Sequence, residues 1–556
     1  MAGGAAVAND GYGNKGVFHK HNIRGTLFCG VFVLGAILYG YDGTYFTGIL
    51  AMDTFKRDFG TLTSAGTYVI DAKYQSLFAS IVQAGEFVGA LAAGFIGNRS
   101  GRKGAMLVAI SVVAFGAILQ LIVTGNLPLL VVGRLILGMG VGIISNCTTL
   151  YLSEIPPSSI RGSMVSSWQL FLALGQVLGA GIAQGTKDYE STFSYRMPIA
   201  LNIAICLLIF IGLFFIPESP RWFVSKNRDD DAARALERVH KGDPDTDVAK
   251  ELRHMTHARE AEIAESGGST SWSELFVGVE RRKLIAVFGI LVCQQISGVQ
   301  FIFSYGTVFF ESIGFNNAFT VTIITDIVEV VGVLVSFFLV NRIGRRPLLL
   351  WTTVMMAALL LVCGILGTIK DPSKAVNSAI ASMIIIYVFF FNLAWGPLAW
   401  VVATELAGGR NRSRIMSVGT AAFWVAAWAV TFTLPYLYNT GDGAGLGPMV
   451  GFIYFGGAVI SYVFVYYMIP ETLGRSLEEY VAFADLDLGR RLTSTFYRRV
   501  NMLLELNVPT RAWKEYHAHL DGQRVEPDVT DAKASAPKQR FLEDVADENT
   551  AKHFEA

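Results

Sequence analysis

The sequence predicts an all-α membrane protein of twelve helical spans in two related halves, and three observations predict it. Apolar runs of about 20 residues alternate with short polar links, and that is the length an α-helix needs to cross ~30 Å of hydrocarbon. Only 16% of the 556 residues are charged, against about 25% in an ordinary soluble protein. Three polar landmarks of the first half recur, in the same order, in the second.

Taken along the chain, the apolar runs place spans at about 25–49, 74–97, 104–124, 128–151, 165–185 and 197–216, then 285–310, 319–340, 347–369, 379–404, 415–438 and 449–469. The first 24 residues lack the apolar core and cleavage site of a signal peptide, so span one is expected to stay as an anchor. Lys and Arg accumulate in short cytoplasmic loops. Here they cluster at Arg99, Arg102 and Lys103, at Arg342, Arg345 and Arg346, and at Arg410, Arg412 and Arg414, whereas the link near Asn126 is uncharged. Both termini are therefore expected on the cytoplasmic side. The division follows: an N-terminal tail (1–24), a six-helix bundle (25–216), a cytoplasmic helical linker domain (217–284) with short helices around 229–240 and 246–264, a second six-helix bundle (285–469), and a cytoplasmic tail (470–556). The end of that tail is charged and poor in aromatics, the composition of a disordered segment.

Formal net charge is zero, so nothing points to a nucleic-acid partner. The five cysteines (Cys29, Cys147, Cys206, Cys293, Cys363) all lie within apolar runs and read as small core residues rather than disulfides or ligands. No nucleophile–base set, phosphate loop or metal-ligand cluster stands out. An enzyme, a cofactor or a metal is not expected.

The repeat carries the functional reading. Asn98-Arg99-Ser100-Gly101-Arg102-Lys103 after span two matches Asn341-Arg342-Ile343-Gly344-Arg345-Arg346 after span eight. Glu154 and Arg161 after span four match Glu405 and Arg412 after span ten. Pro217-Glu218-Ser219-Pro220-Arg221-Trp222 closes span six as Pro470-Glu471-Thr472-Leu473-Gly474-Arg475 closes span twelve. One copy would read as a basic anchoring loop; three paired copies read as a duplicated six-helix unit. Transporters use such parallel repeats, with the substrate near the midplane between the halves. Arg99, Arg102, Glu154, Arg161, Glu218 and Arg221 in one half, and Arg342, Arg345, Glu405, Arg412 and Glu471 in the other, are candidates for a cytoplasmic gate. Guanidinium–carboxylate pairs are directional, and exposed ones are weak enough to break in each cycle.

Charges inside the spans mark function or cost stability. Asp42 in span one lies ~25 Å from the cytoplasmic end, and Arg134 in span four ~9 Å below the opposite one, at 1.5 Å per residue. Those depths sum to about one membrane thickness, so the two can pair, either as a permanent salt bridge or as a proton switch. Glu86 in span two reads as a buried protonated acid on a backbone carbonyl or as part of a proton path. Asp326 and Glu329, three residues apart, share one face of span eight. For Asp326 the bland reading is a hydrogen bond to Thr322 or Thr325. Amides both donate and accept, and aromatics suit apolar ring faces. Candidates for substrate contact are Tyr39, Gln169 and Gln176 (about two turns apart on span five), Gln294, Gln295, Gln300, Asn392, Trp400 and Trp424. Any one buried amide could merely tie helices together, worth about 0.6 kcal/mol. Gly396-Pro397 is expected to break span ten.

The paired landmarks, the Gly40-Tyr41-Asp42 stretch and Gln294-Gln295-Ile296-Ser297-Gly298 resemble the sugar porter family of the major facilitator superfamily over about residues 25–485. The stretches from Pro217 and from Pro470 are its most specific marks, and Pro435-Tyr436-Leu437-Tyr438-Asn439-Thr440 is similar to fungal members. The resemblance implies the major facilitator fold, a monosaccharide (hexose or pentose) as substrate and alternating access by a monomer, with the plasma membrane as the expected site. It implies sugar contacts at Gln169, Gln176, Gln294, Gln295, Gly396 and Trp400, and at Glu329, which falls where related sugar carriers place a sugar-binding Asn. It also implies symport with a proton, because proton-coupled members carry Asp where Asp42 stands and mammalian facilitative carriers carry Asn. A passive facilitator is the near alternative, and a transporter-like nutrient sensor the more distant one. The chain departs from the family at Gln300, Glu329, Asn392 and Phe423, where other residues are usual, so plain glucose specificity is not implied.

Overall fold

Among the described residues, eleven helices of the computed structural model are long and apolar enough to cross a bilayer, and one of them is two spans. That helix, Ala72–Ile122, runs 51 residues, roughly 75 Å at 1.5 Å per residue and more than twice the hydrocarbon thickness. It breaks at Gly101 (φ 81°, ψ −179°) into spans two and three. The others are Ile23–Ala51, Leu127–Glu154, Ser158–Thr186, Phe193–Leu213, span seven in two pieces (Gly278–Ile296 and Val299–Ser312), Ala318–Ile343, Arg345–Leu366, Lys374–Leu406, Arg412–Tyr438 and Val450–Met468. The described residues are 23–62, 68–122, 126–156, 158–240, 248–249, 251–253, 255–256, 272–315, 317–369, 371–407, 411–438 and 444–472. All lie in one unit, Met1–Gly489. The expected terminal tails and most of the expected helix at 246–264 fall outside them. The short helix Asp229–His240 is present in the linker.

The surface is inverted relative to a soluble protein. Large apolar side chains such as Phe95, Phe115, Phe215 and Phe338 stand exposed around the bundle, while Asp42, Glu86, Arg134, Gln169, Gln294 and Glu329 are buried inside it. Within the first half, span two packs on span four and span one on span five; within the second, span nine packs on span twelve and span seven on span eleven. The halves meet where span two faces span eleven and span five faces span eight. That is the twelve-helix arrangement in two pseudo-symmetric bundles.

The repeated landmarks have a common physical cause. Gly101 and Gly344 (φ 97°, ψ 164°) turn the chain from one span into the next in a backbone region essentially closed to side chains. The turn leaves the first N–H groups of spans three and nine unpaired. Glu218 accepts from Arg102 N and Lys103 N at 2.9 and 3.0 Å. Glu471 accepts from Arg345 N and Arg346 N at 3.0 and 3.1 Å. Burial pushes the Glu218 carboxyl up from its ordinary value, against the lowering pull of the N–H groups of Ser219, Lys103 and Arg102. A Cβ at residue 101 would lie 2.3 Å from Glu218 Oε2. Gly101→Ala is therefore expected to cost about 2 kcal/mol or more, combining a forbidden dihedral with a displaced cap. The check is a fall in apparent melting temperature in detergent, larger than that of Gly97→Ala, where a Cβ meets nothing closer than 4.0 Å.

Two helix irregularities differ from the sequence expectation. Span seven, expected as continuous, breaks at Gly298 (φ 94°), where the ring of Tyr454 packs against the missing side chain. Span ten does not break at Gly396-Pro397. It stays helical through a five-residue π-helix, Phe391–Trp395, directly before Gly396. The widened turn absorbs the N–H that proline cannot supply, so the helix continues.

Candidate functional site

A cavity opens between the halves, lined from both sides by residues of spans one, two, four and five and of spans seven, ten and eleven. Its empty volume, about 840 Å³ with the mouth included, is within the range of small-molecule sites. Tyr39, Gln169, Gln176, Gln294, Gln295, Gln300, Trp400 and Trp424 stand on its wall, as do Asp42, Glu86 and Arg134.

Asp42 and Arg134 meet as the depth arithmetic requires. Arg134 Nη1 lies 3.1 Å from Asp42 Oδ1, and both residues are 2% exposed. The guanidinium sits 3.9 Å over the Phe46 ring, a cation–π contact, and its Nε donates to Phe78 O at 3.5 Å. Glu86 lies on the same wall, and its Oε2 has no hydrogen-bond partner. Two carboxylates and one guanidinium thus line one cavity.

Aromatic rings line the cavity as well. Tyr39 stacks on Trp168 with centroids 5.9 Å apart and meets Trp424 edge-on at 5.6 Å. Phe423, which stands where the family usually has an amide, bridges Trp400 and Trp424 at 5.2 and 4.7 Å. It supplies an apolar ring face where a hydrogen bond was the alternative.

Glu329, Asn392 and Gly396 do not stand on the cavity wall, contrary to expectation. Glu329 and Asn392 are fully buried behind the glutamines of span five. Gln169 Nε2 donates to Glu329 Oε1 at 3.3 Å and to Asn392 Oδ1 at 3.2 Å. The Gln176 amide, with its nitrogen toward the carboxylate, reaches Glu329 Oε1 and Oε2 at 3.0 and 2.5 Å. Gly396 offers its carbonyl to Gln294 at 3.2 Å. Asp326 is buried with Oδ2 unpartnered. Thr325 donates to Val321 O instead, and Thr322 is engaged with Thr307 and Ala318 O.

At the basic end, the paired landmarks form ion pairs inside each half. Arg102 grips Glu154 through Nε and Nη2 at 3.0 and 2.8 Å, and Arg345 Nη2 reaches Glu405 at 3.4 Å. Arg99, Arg221 and Arg342 point to solvent; the side chains of Arg161 and Arg412 are outside the described set. Other side chains join the two halves. At the opposite end, Lys56 Nζ meets Glu311 Oε1 at 2.9 Å, Lys187 Nζ donates to Asn317 at 3.3 Å, and Ser76 donates to Phe432 O. Sequence reasoning passed over these residues, since each looks like an ordinary polar residue at the edge of a span.

The family model described as "Sugar (and other) transporter" matches residues 28–483. The major facilitator-type transporter ecdD of Aspergillus rugulosus is 36% identical over 82% of this chain and 86% of its own. The low-affinity glucose transporter HXT1 of Saccharomyces cerevisiae is 30% identical over 84% and 82%. Among solved structures, the proton:xylose symporter XylE bound to 6-bromo-6-deoxy-D-glucose aligns with a TM-score of 0.70 at 22% identity, covering 84% of this chain and 100% of that one. An inward-open form of XylE from E. coli aligns at 0.64, with 22% identity over 82% and 98%. At such identity these structures speak for the fold alone. The family match and the ecdD and HXT1 relatives carry the rest: the chain belongs to the sugar transporter family, the sugar porters of the major facilitator superfamily, and is a membrane transporter rather than an enzyme.

Proposed function

We propose that the chain carries a monosaccharide, a hexose or a pentose, into the cell together with a proton. The two halves would rock about the cavity so that it opens to each side in turn, in a plasma membrane, as a monomer, with the basic end and both termini cytoplasmic. Residues 25–216 and 285–469 act as the two moving bundles and 217–284 as the linker between them. The pairs Arg102–Glu154 and Arg345–Glu405 brace each half at the cytoplasmic end, while Lys56–Glu311 joins the halves on the outer side.

One observation carries the coupling: an ion pair, Asp42–Arg134, buried in the wall of the same cavity as the amides and aromatic rings. A buried carboxylate keeps its charge only while its partner is beside it. Movement that parts the two makes the carboxylate take up a proton, and reunion releases it. The glucose transporters among the relatives support the substrate class.

The test is proton movement itself. In proteoliposomes holding a pH-sensitive dye, adding the transported sugar outside is expected to acidify the lumen, at about one proton per sugar for a single titrating pair. Sugar entry with no change in lumenal pH would make the chain a passive facilitator.

A further inference from the structure

We infer that the cavity recognises its substrate by accepting hydrogen bonds from it, and that Glu329, which does not touch the cavity, is the positioning residue that imposes this. The inference rests on the sugar-carrying reading above.

An amide side chain normally offers a sugar both a donor and an acceptor. Here three of the amides have had their donors taken. Both N–H groups of Gln169 go to Glu329 and Asn392. The Gln176 nitrogen faces the two oxygens of Glu329. The Gln294 nitrogen donates to Trp395 O at 2.8 Å and Gly396 O at 3.2 Å. The two oxygens of Glu329 take N–H groups of both span-five amides, and so fix which way those amides face. What remains for a ligand is their oxygens. Two buried oxygens on the wall, Gln294 Oε1 and Gln295 Oε1, have no partner. The carboxylates of Asp42 and Glu86 add acceptors of the same kind. Against this set stand the indole N–H of Trp424, also unpartnered, and the amide nitrogens of Gln295 and Gln300 on span seven.

The chemistry that fits is a neutral polyol with several hydroxyls turned outward as donors toward spans five and seven. A sugar acid with its carboxylate toward span five would meet amide oxygens whose N–H groups are already taken. An asparagine in place of Glu329 would leave the glutamines free to turn, so this one residue converts an ambivalent site into an accepting one.

Fluorine separates the two roles, because a C–F group accepts weakly and cannot donate. The experiment is competition of monodeoxy and monodeoxyfluoro analogues, position by position, against uptake of the parent sugar in proteoliposomes, for the wild type and Glu329→Gln. In the wild type, at the positions where removing the hydroxyl weakens binding, roughly tenfold per lost hydrogen bond, the fluoro analogue is expected to be as weak as the deoxy one. In Glu329→Gln the fluoro analogue recovers while the deoxy analogue does not. Wild-type protein that binds the fluoro analogue like the parent at every such position overturns the inference, and needs no variant to fold. An unchanged fluoro-to-deoxy ratio in Glu329→Gln overturns the role of Glu329. Failure of every neutral parent sugar to be taken up would instead overturn the sugar-carrying reading, and this inference with it.

Discussion

Asp42→Asn protein is expected to equilibrate its sugar but never concentrate it. A gradient of one pH unit is worth about 1.4 kcal/mol, so one proton per sugar can sustain roughly tenfold accumulation for each unit. In the variant that ratio should fall to one at any gradient, while exchange of internal for external sugar continues. The reasoning starts from burial. Asp42 and Arg134 are each 2% exposed and 3.1 Å apart, and removing one member of a buried pair commonly costs about 3–5 kcal/mol. Here the loss is cushioned: asparagine keeps the size and an acceptor oxygen toward Arg134. The guanidinium also retains the Phe46 face and Phe78 O, and Glu86 lines the same cavity. Folding should survive, and retained exchange will show that it has. What asparagine cannot do is take up and release a proton. Accumulation that persists in Asp42→Asn, with a wild-type dependence on the gradient, would move the coupling to another acid, and Glu86 would be the next to replace.

The parts of the site that follow from depth and residue type were legible in the sequence, and those that follow from which helix faces meet were not. Asp42 and Arg134 could be paired by counting residues from opposite membrane faces, because a span is straight and its rise is fixed. The glutamines could be gathered because buried amides are scarce. Glu329 was grouped with them because it falls where related sugar carriers place a sugar-binding Asn. Its actual place behind Gln169 and Gln176 depends on span five facing span eight across the two halves, a packing fact that no single span records. The ion pairs at the basic end show the same limit: Glu154 and Arg161 are spaced like Glu405 and Arg412, but spacing does not say whether an arginine binds within its own half. The breaks in spans seven and ten turned on one residue each. Gly298 inside an apolar run was the available signal for the first. Gly396-Pro397 pointed to the right place in the second, and the wrong distortion, since a π-helix keeps the backbone bonded where a break would leave carbonyls exposed in a membrane.

The largest loss of stability is expected where spans two and four touch backbone to backbone. Gly85 and Gly89 on one helix and Gly138 and Gly142 on the other are each four residues apart, the small-xxx-small spacing that lets membrane helices approach closely. In a bilayer, packing rather than water exclusion holds helices together, so close approach is itself the source of stability. A Cβ added at Gly89 would lie 2.0 Å from Met139 O, one at Gly138 2.1 Å from Val82 O, and one at Gly142 2.2 Å from Glu86 O. Each obstacle is a carbonyl inside a helix and cannot swing aside, so the two spans must move apart. That separation reaches the coupling site, because span four carries Arg134 and span two carries Glu86 and the Phe78 carbonyl that Arg134 binds. Gly142→Val is expected to yield no monodisperse protein, and Gly142→Ala to lower the apparent melting temperature by several degrees, in line with about 1–3 kcal/mol for overpacking. Gly181→Ala and Gly185→Ala, where a Cβ meets nothing within 4 Å, should leave it unchanged. Size-exclusion profiles and melting curves of the four variants decide the matter. A Gly142→Val protein with the wild-type profile would mean that spans two and four are not in backbone contact.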